Sequence, residues 1–230
     1  DDDEISSKEG NYLITVGNPS AGKSTLQNAL IYRLWTDARV DFEHCGLIDD
    51  PDHDAILHSW IDNFAKGRLP KRSLQGILQE FSIRIGQKGR PHLALNFLEI
   101  SGEEINSILP IEGSNDAPRL NPQLDRYLKV EQINKRFVFI SDASLNRKAK
   151  EDQGRYREDI LFNTLLRYLL SDAGVGLKRV NILLVAAKWD VVKSEYSSIK
   201  EYVKKNFPQT LALIDSTDRA VAQYIPFTIG

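Results

Sequence analysis

Gly17-Asn18-Pro19-Ser20-Ala21-Gly22-Lys23-Ser24 is a complete G-x-x-x-x-G-K-[ST] run, and what flanks it decides the fold. Upstream, Tyr12-Leu13-Ile14-Thr15-Val16 is aromatic, β-branched or apolar, the composition of a buried parallel strand. Downstream, Leu26, Leu30 and Leu34 recur at helical spacing between Thr25 and Trp35. Strand, glycine-bearing loop and helix in that order predict a phosphate cradle. Gly17 and Gly22 permit backbone angles closed to other residues, so successive N–H groups can curl around a β-phosphate at the positive end of the helix. The candidate nucleotide-binding positions are therefore Asn18, Pro19, Ser20, Ala21, Gly22, Lys23, Ser24 and Thr25. Lys23 is placed to reach the β/γ-phosphate oxygens, which also makes it a candidate catalytic residue, and the Ser24 hydroxyl is a candidate Mg²⁺ ligand.

With 230 residues the chain can bury one sizeable α/β core, and residues 11–230 are expected to form a single domain after a solvated acidic lead-in over 1–10. Thirty Lys+Arg against 32 Asp+Glu give a formal charge of −2, so the global basic bias of a dedicated nucleic-acid binder is missing. Cys45 is the single cysteine, which rules out an intramolecular disulfide and predicts a reducing, cytoplasmic setting. No stretch reaches the roughly 20 apolar residues that span a bilayer, and no signal peptide is recognisable. The chain opens at Asp1 and contains no methionine, so it is expected to be part of a longer protein.

Asp41 to Asp54 is acid-rich and reads as a loop that caps a following helix, whose Leu57, Trp60, Ile61 and Phe64 share one face and whose terminator is Gly67. His44, Cys45, His53 and His58 lack metal-ligand spacing. Phe81 to Ile85 alternates as a half-exposed strand near a sheet edge does, and Leu93 to Ile100 is more continuously apolar; the two can pair as an antiparallel hairpin. Further strands are expected at Phe137 to Ile140, Val180 to Ala186 and Tyr224 to Ile229, with helices around Gln123 to Lys135, Tyr156 to Leu170 and Ser194 to Lys205. This succession predicts a mostly parallel six-stranded sheet with one antiparallel edge strand, helices on both faces, and the ligand at the carboxyl ends of the strands.

A phosphate loop serves ATP and GTP alike, so a base-reading motif must decide between them. Val185-Ala186-Ala187-Lys188-Trp189-Asp190 ends the penultimate strand and contains K-x-D, which resembles the [NT]-K-x-D motif of the Ras-like GTPases. The resemblance implies that the Lys188 stem covers the base plane and that Asp190 accepts hydrogen bonds from guanine N1–H and N2–H₂. Adenine presents an acceptor there and would leave a carboxylate unpaired. Ala187 stands where the family carries Asn or Thr, removing a hydrogen bond that normally ties the motif to the phosphate loop.

Phe97-Leu98-Glu99-Ile100-Ser101-Gly102-Glu103-Glu104 resembles the D-x-x-G motif of the same family. That implies Glu99 as the acid holding Mg²⁺, Gly102 as the N–H donor to the γ-phosphate, and Glu103 in place of the glutamine that orients attacking water. A carboxylate accepts from water but cannot donate to the transferring phosphoryl group, which predicts slow intrinsic hydrolysis. Gly67-Arg68-Leu69-Pro70-Lys71-Arg72-Ser73 resembles the switch of the bacterial double-GTPase families found in conflict and defence loci, with Ser73 as the second hydroxyl ligand to Mg²⁺. Thr228 and Ile229 stand where these proteins make a backbone contact to guanine. Asp142 is an alternative Mg²⁺-holding acid if the chain is an ATPase.

The resemblance spans Tyr12 to Gly230 and implies a three-layer α/β/α P-loop NTPase of the Ras-like type. The expected function is Mg²⁺-dependent binding and hydrolysis of GTP to GDP by a nucleotide-controlled switch. A protein effector or activating partner, and a nucleotide-dependent dimer, are the partners it implies. Alternatives are a GTP-binding interaction module with little hydrolysis and a P-loop ATPase.

Overall fold

A computed structural model describes residues 8–44, 51–68, 79–87, 89–100, 108, 120–148 and 155–228. In chain order the elements are β1 (Gly10–Val16), α1 (Lys23–Thr36), β2 (Asp41–His44), α2 (Pro51–Ala65), β3 (Gln79–Gly86), β4 (Leu93–Glu99), α3 (Pro122–Lys129) and β5 (Ile133–Asp142). They continue with α4 (Ala143–Lys148), α5 (Arg155–Leu170), β6 (Val180–Ala187), a 3₁₀ turn (Trp189–Val191), α6 (Ile199–Asn206), α7 (Pro208–Asp215) and β7 (Ala220–Phe227). The sheet has seven strands in the order β2-β3-β4-β1-β5-β6-β7. β4, β1, β5, β6 and β7 run parallel, and β3 runs antiparallel to both of its neighbours.

The α/β architecture and the β3–β4 hairpin agree with the sequence reading, while several boundaries differ for identifiable reasons. Asp41–His44, expected as the start of a loop, is a seventh strand that pairs with Ile83 to Gly86 of β3. It takes over the edge, so the antiparallel strand β3 lies one place inside it. Pro51 to Asp54 belong to helix α2 rather than to a loop before it, consistent with the fixed φ of proline suiting a first helical turn. The helix expected over Gln123 to Lys135 stops at Lys129, and Ile133 already starts β5. Its start is set by Asn121, whose side chain accepts from the N–H groups of Gln123 and Leu124. The helix expected from Ser194 starts at Ile199, after Ser198 caps it, and β7 is Ala220–Phe227 rather than Tyr224 to Ile229. Gly67 does end α2: its φ of +69° is the left-handed value that glycine adopts freely.

Two apolar layers sandwich the sheet. On one face Ile14 and Val16 of β1, Phe137 and Phe139 of β5 and Leu184 of β6 pack with Leu124 and Leu128 of α3, Leu161, Leu165 and Leu169 of α5, and Tyr202 of α6. On the other, Ile31 of α1 and Leu57 and Ile61 of α2 cover Phe81, Ile83 and Phe97. Phe139, Phe162 and Phe207 stack in succession, with centroids 4.7 and 5.6 Å apart, and tie β5 through α5 to the α6–α7 junction.

That junction depends on a buried charge. Pro208 opens α7 and Phe207 has no side chain able to cap it. The cap comes from another helix: the fully buried carboxylate of Asp159 on α5 accepts from Gln209 N, Thr210 N and Thr210 Oγ1 at 2.8–2.9 Å. Asp159→Ala is therefore expected to cost about 2–4 kcal/mol of folding stability, read as a lowered urea midpoint, with Asp159→Asn costing less because it retains an acceptor. An unchanged midpoint for the alanine variant would refute this role.

Candidate nucleotide-binding site

The parallel strands bring their carboxyl ends to one rim. β1 lies between β4 and β5 although both follow it in sequence, so the chain departs to opposite sides of β1 and leaves a crevice above it. Gly17 to Gly22 occupy that crevice between β1 and α1. A Cβ on Gly17 would stand 2.5 Å from the carbonyl oxygen of Ile140 in β5, so no side chain fits there. Gly22 has φ +97° and Ser20 φ +64°, and the strained serine is an outlier of the kind that gathers at ligand clamps. Ala21 N–H donates to Asn18 O at 3.1 Å and closes the turn, and Leu26 N–H reaches Gly22 O at 2.8 Å as α1 begins.

Lys23 is buried and folds back on the loop, its Nζ donating to the carbonyl oxygens of Gly17 and Asn18 at 3.0 and 3.1 Å. Next to it, the Ser24 hydroxyl donates to Glu99 Oε1 and Oε2 at 2.9 and 3.0 Å. Glu99 is the last residue of β4, in register with Thr15 of β1, and is buried. A hydroxyl and a carboxylate meeting at the foot of a phosphate loop are hard oxygen donors suited to Mg²⁺. Among the described residues no group of three or more His, Cys, Asp or Glu converges as a metal site. Ser24 and Glu99 are the residues that would hold such an ion.

Along the same rim, β6 ends at Ala187 opposite Phe227 of β7, which puts Lys188 and Asp190 beside Thr228. Thr228 Oγ1 donates to Asp190 Oδ1 at 2.5 Å and holds that carboxylate at the surface. Between the two motif residues, Trp189 turns inward and packs edge-on against Tyr202 with centroids 5.6 Å apart. Lys188 has φ +56°, and its ammonium pairs with the buried carboxylate of Asp142 at the end of β5. Asp142 also accepts from the backbone N–H of Ser144 at 3.0 Å. In this structure it thus orders the base motif rather than the phosphate loop.

The structure brings together Asn18 to Thr25, Glu99, Lys188, Asp190 and Thr228. Ser73, Gly102, Glu103 and Ile229 lie outside the described residues. The sequence reading overlooked Glu158 of α5, which is 3% exposed and accepts from Asn18 Nδ2 of the loop at 3.2 Å and from Ser141 Oγ at 2.6 Å. A signal for it exists in the sequence: Glu158, Leu161, Phe162 and Leu165 fall at i, i+3, i+4 and i+7, which places the carboxyl in phase with the apolar stripe. Burial pushes its pKa up to about 7, with Asp142 adding repulsion, against hydrogen bonds that act the other way.

An α/β domain with a phosphate loop at its switch point and a K-x-D motif on the same rim has the site of a P-loop GTPase. The chain belongs to the Double-GTPase 1 family, whose model matches residues 14–225. Membership makes guanine nucleotide its class of ligand.

Among solved structures the chain is similar to the signal recognition particle receptor SRb-GTP/SRX complex from Chaetomium thermophilum, with 13% identity and a TM-score of 0.49 over 97% of this chain and 93% of that one. It is also similar to nucleolar GTP-binding protein 1 from Plasmodium falciparum, with 15% identity and a TM-score of 0.42 over 95% of this chain and 77% of that one. The GTPase-like domain of S. cerevisiae Ski7, bound to GDP and inorganic phosphate, gives 15% identity and a TM-score of 0.43 over 97% of this chain and 44% of that one. No curated protein matches the chain. Among the described residues no helix is long and apolar enough to cross a membrane.

Proposed function

We propose that this domain binds Mg²⁺·GTP and hydrolyses it slowly to GDP, acting as a nucleotide-controlled switch within a longer protein. The observation that supports this most is the placement of Asp190, held by Thr228, on the rim that also carries Lys23, Ser24 and Glu99. One end of that rim suits a guanine edge and the other a triphosphate. On binding, Lys23 exchanges the carbonyl oxygens of Gly17 and Asn18 for β/γ-phosphate oxygens, and the loop N–H groups surround the β-phosphate. Ser24 and Glu99, with Ser73 as a further ligand, would hold Mg²⁺, which when bound would supply charge neutralisation at the phosphates. Gly102 donates to the γ-phosphate and Glu103 orients the attacking water, a poor substitute for an amide that also donates.

The bacterial defence or conflict setting, a protein effector and a nucleotide-dependent dimer follow from the family resemblance, and a cytoplasmic location follows from the single cysteine, Cys45. Single-turnover assays with Mg²⁺ and excess protein test the reaction. GDP should appear at a rate on the order of 10⁻⁴ to 10⁻² s⁻¹. GDP formation no faster than in the Lys23→Ala variant, despite GTP binding, would reduce the domain to a binding module.

A further inference from the structure

We propose that Glu158 is a positioning residue for the phosphate loop, holding Asn18 so that the loop keeps the shape that accepts a nucleoside triphosphate. The inference deepens the proposed nucleotide site and rests on that reading. Three elements meet at this carboxyl group. Asn18 Nδ2 donates to one oxygen, Ser141 Oγ of β5 bonds the other, and Ser141 lies 3.0 Å from Tyr202 Oη of α6, itself fully buried. The chain of hydrogen bonds runs from the aromatic core to the loop. Ala187, which borders the loop on the β6 side, has only a methyl to offer: a Cβ on Gly22 would meet it at 3.7 Å.

Other charges bear on this carboxyl group. Asp142 of β5 donates its backbone N–H to it but repels it through its own carboxylate, which Lys188 pairs. Lys23 sits on the carbonyl oxygen of Asn18, and Asp159, next in sequence on α5, turns instead to α7. A triphosphate brings negative charge to the Asn18 side and favours the protonated form of Glu158. With the free group titrating at about 7, nucleotide binding then takes up a proton, and affinity falls as pH rises through that value. Glutamine mimics the protonated acid: its carbonyl accepts from Asn18 and its amide donates to Ser141, without titration.

The test measures Mg²⁺·GTP and, separately, Mg²⁺·ATP affinity by calorimetry for the full chain and its Asn18→Ala, Glu158→Ala, Asn18→Ala/Glu158→Ala and Glu158→Gln variants. Asn18→Ala and Glu158→Ala should each weaken binding about tenfold, and the double variant should be no weaker than the worse single one. The ratio of wild-type to Glu158→Gln affinity cancels titration of the nucleotide itself. It should be near one at about pH 6 and fall threefold to tenfold by about pH 8.5. Additive losses in the double variant, or a ratio that stays flat with pH, would overturn the proposal. If ATP binds and GTP does not, the guanine reading fails while the ATP ratio still decides the role of Glu158. If the wild type binds neither, both fall.

Discussion

Lys23→Ala is expected to lower affinity for GTP by at least about a hundredfold while leaving the fold intact. Each charge-assisted hydrogen bond to a phosphate oxygen contributes about 1.5–3 kcal/mol, and the ammonium is placed to make two of them. In the free protein it bonds the carbonyl oxygens of Gly17 and Asn18, on a loop whose turn is closed by Ala21 N–H. The loss therefore falls on the ligand rather than on the core. Titration with a fluorescent guanine nucleotide reads the affinity, and thermal unfolding reads the fold. Affinity within about threefold of wild type would remove Lys23 from the site, because one tenfold step is only about 1.4 kcal/mol.

Asp190→Asn should invert base preference. The aspartate presents two acceptor oxygens, one steadied by Thr228, to a base that offers two adjacent donors. Asparagine replaces one acceptor with a donor, which suits xanthine, whose C2 carries an oxygen where guanine carries an amino group. GTP affinity should fall by about 10²-fold or more and xanthosine triphosphate should become the better ligand, since a buried polar mismatch is penalised more heavily than a lost contact. Thr228 can still donate to the remaining oxygen, so the loop should keep its place. An unchanged ratio of GTP to xanthosine triphosphate in competition would show that Asp190 does not read the base.

What could be read from sequence follows locality. The phosphate loop, its flanking strand and helix, the β3–β4 hairpin and the stripe at Leu161, Leu165 and Leu169 are specified by neighbours within a few residues, where periodicity and glycine placement act. Asp41–His44 is four residues long, with two acids and no alternation, and becomes a strand through its partner in β3. The Lys188–Asp142 pair joins residues 46 apart, and Asn18–Glu158 joins residues 140 apart. Glu158 and Asp159 are neighbouring acids of α5, yet both are buried and for different ends, one toward the phosphate loop and one capping α7. Tertiary burial, which short-range pattern does not encode, separates those roles. For the base motif the residues were recognisable, whereas the support from Thr228, the inward anchor at Trp189 and the counter-charge of Asp142 needed the fold.

This rim is expected to select guanine nucleotide, and calorimetric titration of the unmodified chain with Mg²⁺·GTP and Mg²⁺·ATP decides whether it does. GTP should bind with ATP weaker by about a hundredfold or more, the penalty for leaving a carboxylate such as Asp190 facing an acceptor. Equal affinities, or a preference for ATP, would contradict it.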